Sequence, residues 1–182
     1  MKVERNLDSD GKKHGIHRSF YDSGKKKNEC HYSHGVRVGV WRRWYENGKL
    51  AQSRFYENGL QVGLQSEWNE LGRLTREIRF VDGKMGGFYR EFNDNGGLIR
   101  ESSYENGELQ GLSRAWNENG ELSYERIFLN GNRHGCCRDF GIEGQLMAEE
   151  NYENGERHGN CRYWFDNGEF MKDEVYEKGV KK

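Results

Sequence analysis

Proline is absent from this 182-residue chain, and cysteine is scarce, with four residues. The first absence excludes a polyproline linker or a Pro-rich tail. Four cysteines do not make a disulfide framework. Long apolar runs are missing too. Hydrophobic residues make up 33% of the chain, and the mean hydropathy is −1.14. No stretch approaches the roughly 18–20 apolar residues that span a bilayer. Met1-Lys2-Val3-Glu4-Arg5 is followed by polar residues rather than by the apolar core of a secretory signal, so the expected location is cytoplasmic. A net charge of −1 gives no general reason to bind nucleic acid. What the chain does have is aromatics, at 13%, too many for a disordered segment.

The charge is uneven. Residues 1–49 carry 12 Lys/Arg against 6 Asp/Glu, and the remainder 17 against 24. The basic end includes Lys12, Lys13, Lys25, Lys26 and Lys27.

Glycine is where order shows. One series runs from Gly11 through Gly35 and Gly59 to Gly179 in steps of 24, a second from Gly15 to Gly159, and a third from Gly24 to Gly168. Together they hold 22 of the 25 glycines, leaving only Gly86, Gly97 and Gly141 outside. A fixed period of this length is the mark of a repeat array. The first and third series mostly follow Asn or Asp, as in Asn47-Gly48, Asn58-Gly59 and Asp82-Gly83, which is hairpin-turn chemistry. The second series opens the next strand and predicts a bulge or a close backbone approach.

Apolar ladders run between the turns. One is Phe20, Trp44, Trp68, Phe92, Trp116, Phe140, Trp164; another is Tyr32, Tyr56, Phe80, Tyr104, Phe128, Tyr152, Tyr176. A leucine ladder starts at Leu50 and is broken only by Lys26, and a fourth includes Ile16, Val40, Leu64 and Phe88. A three-residue Glu46-Asn47-Gly48 loop pairs Trp44 with Leu50 and places all four ladders on one face. A two-residue Asn47-Gly48 loop instead pairs Trp44 with Ala51 and splits them. Arginines at 18, 42, 90, 114, 138 and 162 and acids at 29, 77, 101, 125, 149 and 173 argue for the second register, because only that one sets these ladders opposite each other. The first is the preferred expectation, since it buries the apolar residues together.

The expected fold is all-β: an elongated, twisted antiparallel β-meander, or solenoid, of about fifteen strands. At roughly 4.8 Å per strand it would extend on the order of 65–70 Å. Residues 1–10 form an N-terminal half-repeat cap, 11–179 seven 24-residue hairpin repeats, and 180–182 a C-terminal tail. Asp8 interrupts the tyrosine ladder, as befits a polar cap. Phe140-Gly141-Ile142-Glu143-Gly144 lacks the Asn-Gly turn and predicts a local distortion.

Gly39-Val40-Trp41-Arg42-Arg43-Trp44-Tyr45-Glu46-Asn47-Gly48-Lys49-Leu50, followed by Tyr56-Glu57-Asn58-Gly59 and Gly63, resembles the MORN-repeat superfamily, and best its bacterial variant. The likeness extends over essentially the whole chain, although Gln65, Ser113 and Cys137 depart from the Trp41 position. It implies hairpin repeats that act as binding scaffolds. Some bacterial members resemble YwqK-type antitoxins or immunity proteins that neutralise a toxin. Eukaryotic members imply membrane lipids, scaffolding and dimers.

No nucleophile elbow, P-loop, dinucleotide fingerprint or zinc-protease helix is present. The carboxylates are repeat-periodic, so no acid/base pair stands apart. The expectation is a non-enzymatic chain without a cofactor. Cys137 and Cys161 share a repeat position and are expected two strands apart, roughly 9.6 Å, too far for a disulfide, which needs about 7 Å or less. His14, His17, Cys30, His31 and His34, and separately His134 with Cys136 and Cys137 and His158 with Cys161, lack paired Cys-x2-Cys spacing. No metal is assigned, and the N-terminal histidines are the better placed set.

The residues that break the repeat are the candidate site. Opposite the ladders most repeats carry polar residues, whereas repeats one and two offer Tyr21, Trp41, Arg43, Tyr45 and Phe55, and repeat seven offers Tyr163 and Phe165. Aromatics with Arg are typical of binding hot spots. The leading expectation is a protein partner, such as a toxin or effector, bound by occlusion. The alternative is an anionic lipid surface held by Lys12, Lys13, Lys25, Lys26 and Lys27, and a third is a structural homo-oligomer.

Overall fold

Period-2 alternation between glycine-bearing turns predicts strands, and strands are what form. The computed structural model describes residues 2–182 and contains no helix among them; nothing in it is a helix long and apolar enough to cross a membrane. The strands are β1 (Val3–Glu4), β2 (Gly15–Phe20), β3 (Lys26–Ser33), β4 (Val36–Trp44), β5 (Leu50–Glu57), β6 (Leu60–Trp68), β7 (Leu74–Val81), β8 (Lys84–Phe92) and β9 (Leu98–Glu105). They continue as β10 (Glu108–Trp116), β11 (Leu122–Leu129), β12 (Asn132–Arg133), β13 (Gly135–Phe140), β14 (Leu146–Glu153), β15 (Glu156–Trp164), β16 (Phe170–Glu177) and β17 (Val180–Lys181). Seventeen strands stand where about fifteen were expected. Two-residue strands at the ends add to the number, and an interruption at His134 divides one strand into β12 and β13.

The chain forms two compact units, 1–87 and 88–182, whose boundary falls within β8. In the first, β1 to β7 pair in sequence order, each antiparallel to the next. In the second, β9 to β11, β13 to β16 and β17 do the same, with β12 and β13 both on β11.

All 22 periodic glycines have positive φ, and the three outside the series do not. Two kinds of turn follow. At Asn58-Gly59 both residues are left-handed, φ 49° and 83°, and Glu57 pairs directly with Leu60, the primed two-residue hairpin. At Gly48 only the glycine is left-handed, φ 88°. There the Gly48 N–H donates to the Tyr45 carbonyl at 3.0 Å and the Tyr45 N–H to the Lys49 carbonyl at 2.9 Å. Trp44 accordingly pairs with Leu50, as the three-residue loop requires. The expected distortion at Gly141 to Gly144 does not occur: the same two turn bonds form, at 3.0 and 2.8 Å, without an Asn-Gly pair. Gln145 Oε1 accepts the Glu143 N–H at 3.1 Å in the role Asn plays elsewhere.

The register question has a composite answer. Past Trp44↔Leu50 the pairing shifts by one, to Arg43↔Gln52 and Arg42↔Ser53, with Ala51 as the extra residue of a β-bulge. The same shift recurs at Phe20, Trp68, Trp116, Phe140 and Trp164. The bulge lets Trp meet Leu at the turn and Arg meet acid two residues further in. It also corrects the one-face expectation. Paired residues share a face, so the Trp, Leu and Val ladders lie with the Arg and acid ladders on what is here the tryptophan face. The Tyr ladder lies on the other, the tyrosine face, with Gly39↔Tyr56 and Trp41↔Arg54.

The deepest burial is on the tyrosine face, at Tyr56, Ile78, Cys137, Tyr152 and Cys161. Several polar groups there pair with one another. Ser102 and Ser113 hydroxyls meet at 2.8 Å. The buried Glu150 carboxylate accepts from Tyr152 at 2.6 Å and Tyr163 at 2.8 Å, and pairs with Arg157 at 2.7 Å. Arg37 sits over both Tyr32 and Tyr56, at 5.8 and 5.1 Å, and so links the rings of adjacent repeats. All four cysteines are thiols, and burial pushes Cys137 up from its ordinary range.

Candidate interaction surface

Of the seven aromatic and arginine residues singled out in the sequence, the five in the unit 1–87 do not share one face. Tyr21 and Tyr45 occupy equivalent turn positions, and both are structural ties. The Tyr21 hydroxyl donates to the Trp44 carbonyl and the Tyr45 hydroxyl to the Trp68 carbonyl, each at 2.8 Å. Each therefore spans from one repeat to the ladder residue of the next. Trp41 and Arg43 lie on the tyrosine face. Trp41 is half-buried under the Arg54 guanidinium, 4.9 Å from its ring, and Arg43 is exposed. Tyr163 is half-buried against Glu150 and carries Lys172 over its ring at 4.9 Å. Burial, together with the Glu150 hydrogen bond, raises its phenol well above the ordinary range. Phe165 is exposed at a turn.

Phe55 is the exception that matters. It was expected opposite the ladders, but the bulge at Ala51 returns it to the tryptophan face, between Val40 on β4 and Val62 on β6. Around it this face is unusually open within the unit 1–87. Val36 is 44% exposed, Phe55 39%, Leu60 50%, Leu64 45% and Val81 52%. Val36 belongs here with Val38, which pairs with His31, and Val81 shares the parity of Arg79, which pairs with Leu64. Scattered exposed apolar residues need no explanation, whereas several contiguous ones on one face mark an interaction surface. The sequence pattern did not reveal it, because only Leu64 belongs to a ladder and the expected register put Phe55 on the other face.

Charge completes the surface. In most rungs the ladder arginine bonds its cross-strand acid. Arg18 meets Glu29 at 2.7 Å, Arg90 meets Glu101 at 2.6 Å, Arg114 meets Glu125 at 2.8 Å and Arg138 meets Glu149 at 3.0 Å. The Arg18 hydrogen bond holds the Glu29 carboxyl below its usual range against the opposing effect of burial. Arg42 differs. Its β5 neighbour is Ser53, and Glu29 on β3 is already taken by Arg18 and Lys26. Among the described residues Arg42 makes no ion pair, and it is exposed beside Val40 and Phe55.

The lysines proposed for an anionic surface are mostly engaged. Lys13, Lys26 and Lys27 lie over the rings of Tyr32, Trp44 and Tyr21 at 5.0, 4.1 and 5.1 Å. Lys12 is 3.9 Å from Asp10, and Lys25 is exposed. Lys26 thus occupies the leucine rung by lying on the next ladder tryptophan. A shallow 230 Å³ cavity lined by Arg5, Lys13, His17, Arg18 and Tyr32, among others, lies beside them.

An antiparallel array of hairpins with a repeated turn and an open face defines a β-hairpin repeat scaffold. The model of the MORN repeat variant matches residues 13–34 and 37–59, so these two stretches are similar to that repeat. They hold Tyr21, Trp41, Arg42, Tyr45 and Phe55. A search of curated proteins gives no match.

Proposed function

We propose that the chain is a non-catalytic scaffold that binds a protein partner through the tryptophan face of residues 1–87. The partner presents an apolar segment with a carboxylate that reaches Arg42. The observation carrying this reading is the exposed group Val36, Phe55, Leu60 and Leu64 beside Arg42, which makes no ion pair among the described residues. Its finer form is an antitoxin, immunity protein or inhibitor that works by covering the partner's active surface. A toxin-like reading frame beside the gene would support that form.

The test is affinity purification from the native host with three baits: the unaltered chain, Phe55→Ser with Leu64→Ser, and Leu71→Ser as an exposed turn control. Circular dichroism checks that each bait is folded. A partner retained by the unaltered chain and the control, and weakened at least about tenfold by the double variant, is the expected outcome; loss of a central anchor is worth about 2 kcal/mol or more. Equal retention by all three baits overturns the assignment of this face. Arg42→Glu should reduce binding by itself and remove its salt sensitivity. Salt-sensitive flotation with anionic liposomes, undisturbed by the double variant, would favour the lipid reading instead.

A further inference from the structure

Three side chains near the start of the chain meet, and two of them, Asp8 and His34, leave the repeat pattern. Asp8 stands where Tyr32 and Tyr56 continue the tyrosine ladder. His14 occupies a position that varies along the chain, with Val38, Val62, Gly86, Gln110, His134 and His158 in the later repeats. His34 stands where they have Asn58, Asp82, Asn106, Asn130 and Asn154. The last is a turn position with φ 47°, which Asn and Asp satisfy elsewhere, so the backbone does not select histidine.

Asp8 Oδ2 is 2.7 Å from His34 Nδ1. The His34 backbone N–H points at His14 Nδ1, 3.5 Å away, and the two rings lie 4.8 Å apart. One ligand atom from each of the three residues lies within 4.8 Å of the other two. The carboxylate is held in place, since Oδ1 accepts the N–H groups of Lys12 at 2.8 Å and Asp10 at 3.1 Å. Asp8 is 8% exposed at its side chain, whereas His34 is 67% exposed. A fixed, oriented carboxylate therefore faces two solvent-accessible imidazoles, and fixing ligands through outer hydrogen bonds is how metal sites are organised.

We propose that Asp8, His14 and His34 bind a divalent transition-metal ion of the zinc type. Two imidazole nitrogens and one carboxylate oxygen suit zinc, whereas calcium and magnesium favour all-oxygen sets. Tetrahedral bonds of about 2.0–2.2 Å place ligand atoms about 3.3–3.6 Å apart, so modest rotations of the exposed imidazoles close the site. Three protein ligands leave a position for water. The ion joins side chains from three segments: the 1–10 cap, the entry to β2 and the β3–β4 turn. The cap is tied to the first hairpin by the two-residue β1, the Leu7↔Lys13 bridge, the His14 N–H to Asn6 carbonyl bond at 2.9 Å and the Asn6 Nδ2 to Ile16 carbonyl bond at 2.9 Å, and the ion would add a tie through side chains. The ion acts as a clip on the first hairpin.

The test uses the full chain without an affinity tag. Co²⁺ is titrated by visible absorption, followed by displacement with Zn²⁺ and calorimetry of Zn²⁺ alone. The variants are His14→Val and His34→Asn, each introducing a residue that other repeats carry at that position. One equivalent of Co²⁺ with a visible band displaced by Zn²⁺, and a Zn²⁺-dependent rise in Tm, are expected. Each variant should lose affinity at least about tenfold, the scale on which even outer partners of metal sites act, with its metal-free Tm little changed. Absence of both the band and the Tm rise at millimolar ion overturns the proposal. So does binding by both variants as tight as by the unaltered chain, which would place the ion on the remaining histidines or cysteines.

Discussion

The Tyr45 hydroxyl shows how an aromatic that breaks a repeat can still be structural. It donates to the Trp68 carbonyl at 2.8 Å, and Tyr21 does the same to Trp44. Neighbouring repeats have Asn69, Asn93 and Asn117 at this position. Those asparagines fold their side chains back on their own turns, as Asn93 Oδ1 does in accepting the Asn95 and Gly97 N–H groups at 3.0 and 2.8 Å. Tyr45→Phe keeps the ring and deletes one hydrogen bond, so the chain should lose about 0.5–1.5 kcal/mol. Urea unfolding followed by tryptophan fluorescence measures this, and an unchanged midpoint would show that the tie contributes nothing. Spacing alone could not separate Tyr45 from a binding residue, because a side-chain bond to the next repeat's backbone leaves no periodic mark.

At the scale of the element, the hairpin was legible and its bulge was not. The periodic glycines were readable because each occupies a backbone conformation that disfavours a Cβ. Gly39, φ 67°, opens the irregular stretch of β4, and the atoms nearest a Cβ placed there are 3.8 Å away, on His31. Space is therefore available, and Gly39→Ala should be destabilising through the backbone alone, by about 1–2 kcal/mol. Thermal unfolding of that variant, with circular dichroism confirming an intact sheet, is the check. The bulge position holds Lys27, Ala51, Thr75, Ile99, Ser123, Met147 and Met171 in turn, and no residue type marks it. What marked it was the conflict between ladders: Trp with Leu demanded one register and Arg with Glu the other. Both demands were real, and the backbone meets both by inserting one residue. Phe55 was assigned to the wrong face for this reason, and with it the open apolar surface went unseen.

For the whole molecule, the carboxylates set the response to acid. Arg18 holds Glu29 low, and Lys181, Lys172 and Tyr176 bring Glu174 down to about 2. Burial pushes Glu150 up, but hydrogen bonds from Tyr152 and Tyr163 and the charges of Arg157 and Arg133 outweigh it. All three therefore sit below the unfolded value of about 4.3. The folded chain binds fewer protons than the unfolded chain, so their contribution is complete above that value and is lost as pH falls through the folded ones. Tm should be flat from neutral pH to about 5 and decline from there toward about 2. A Tm that rises as pH falls below about 4 would contradict these pairings.

The period of 24 residues runs without an insertion from Gly11 to Gly179, and strands begin in step with it, at Leu50, Leu74, Leu98, Leu122 and Leu146. Loss or gain of one whole period therefore restores every turn, bulge and ladder on either side of the join. Unequal exchange between neighbouring copies in the gene can change the length of such a chain without designing a new contact. Length becomes a heritable variable that selection can adjust separately from the residues that break the pattern. Those residues can diverge in one copy while the others keep the pattern.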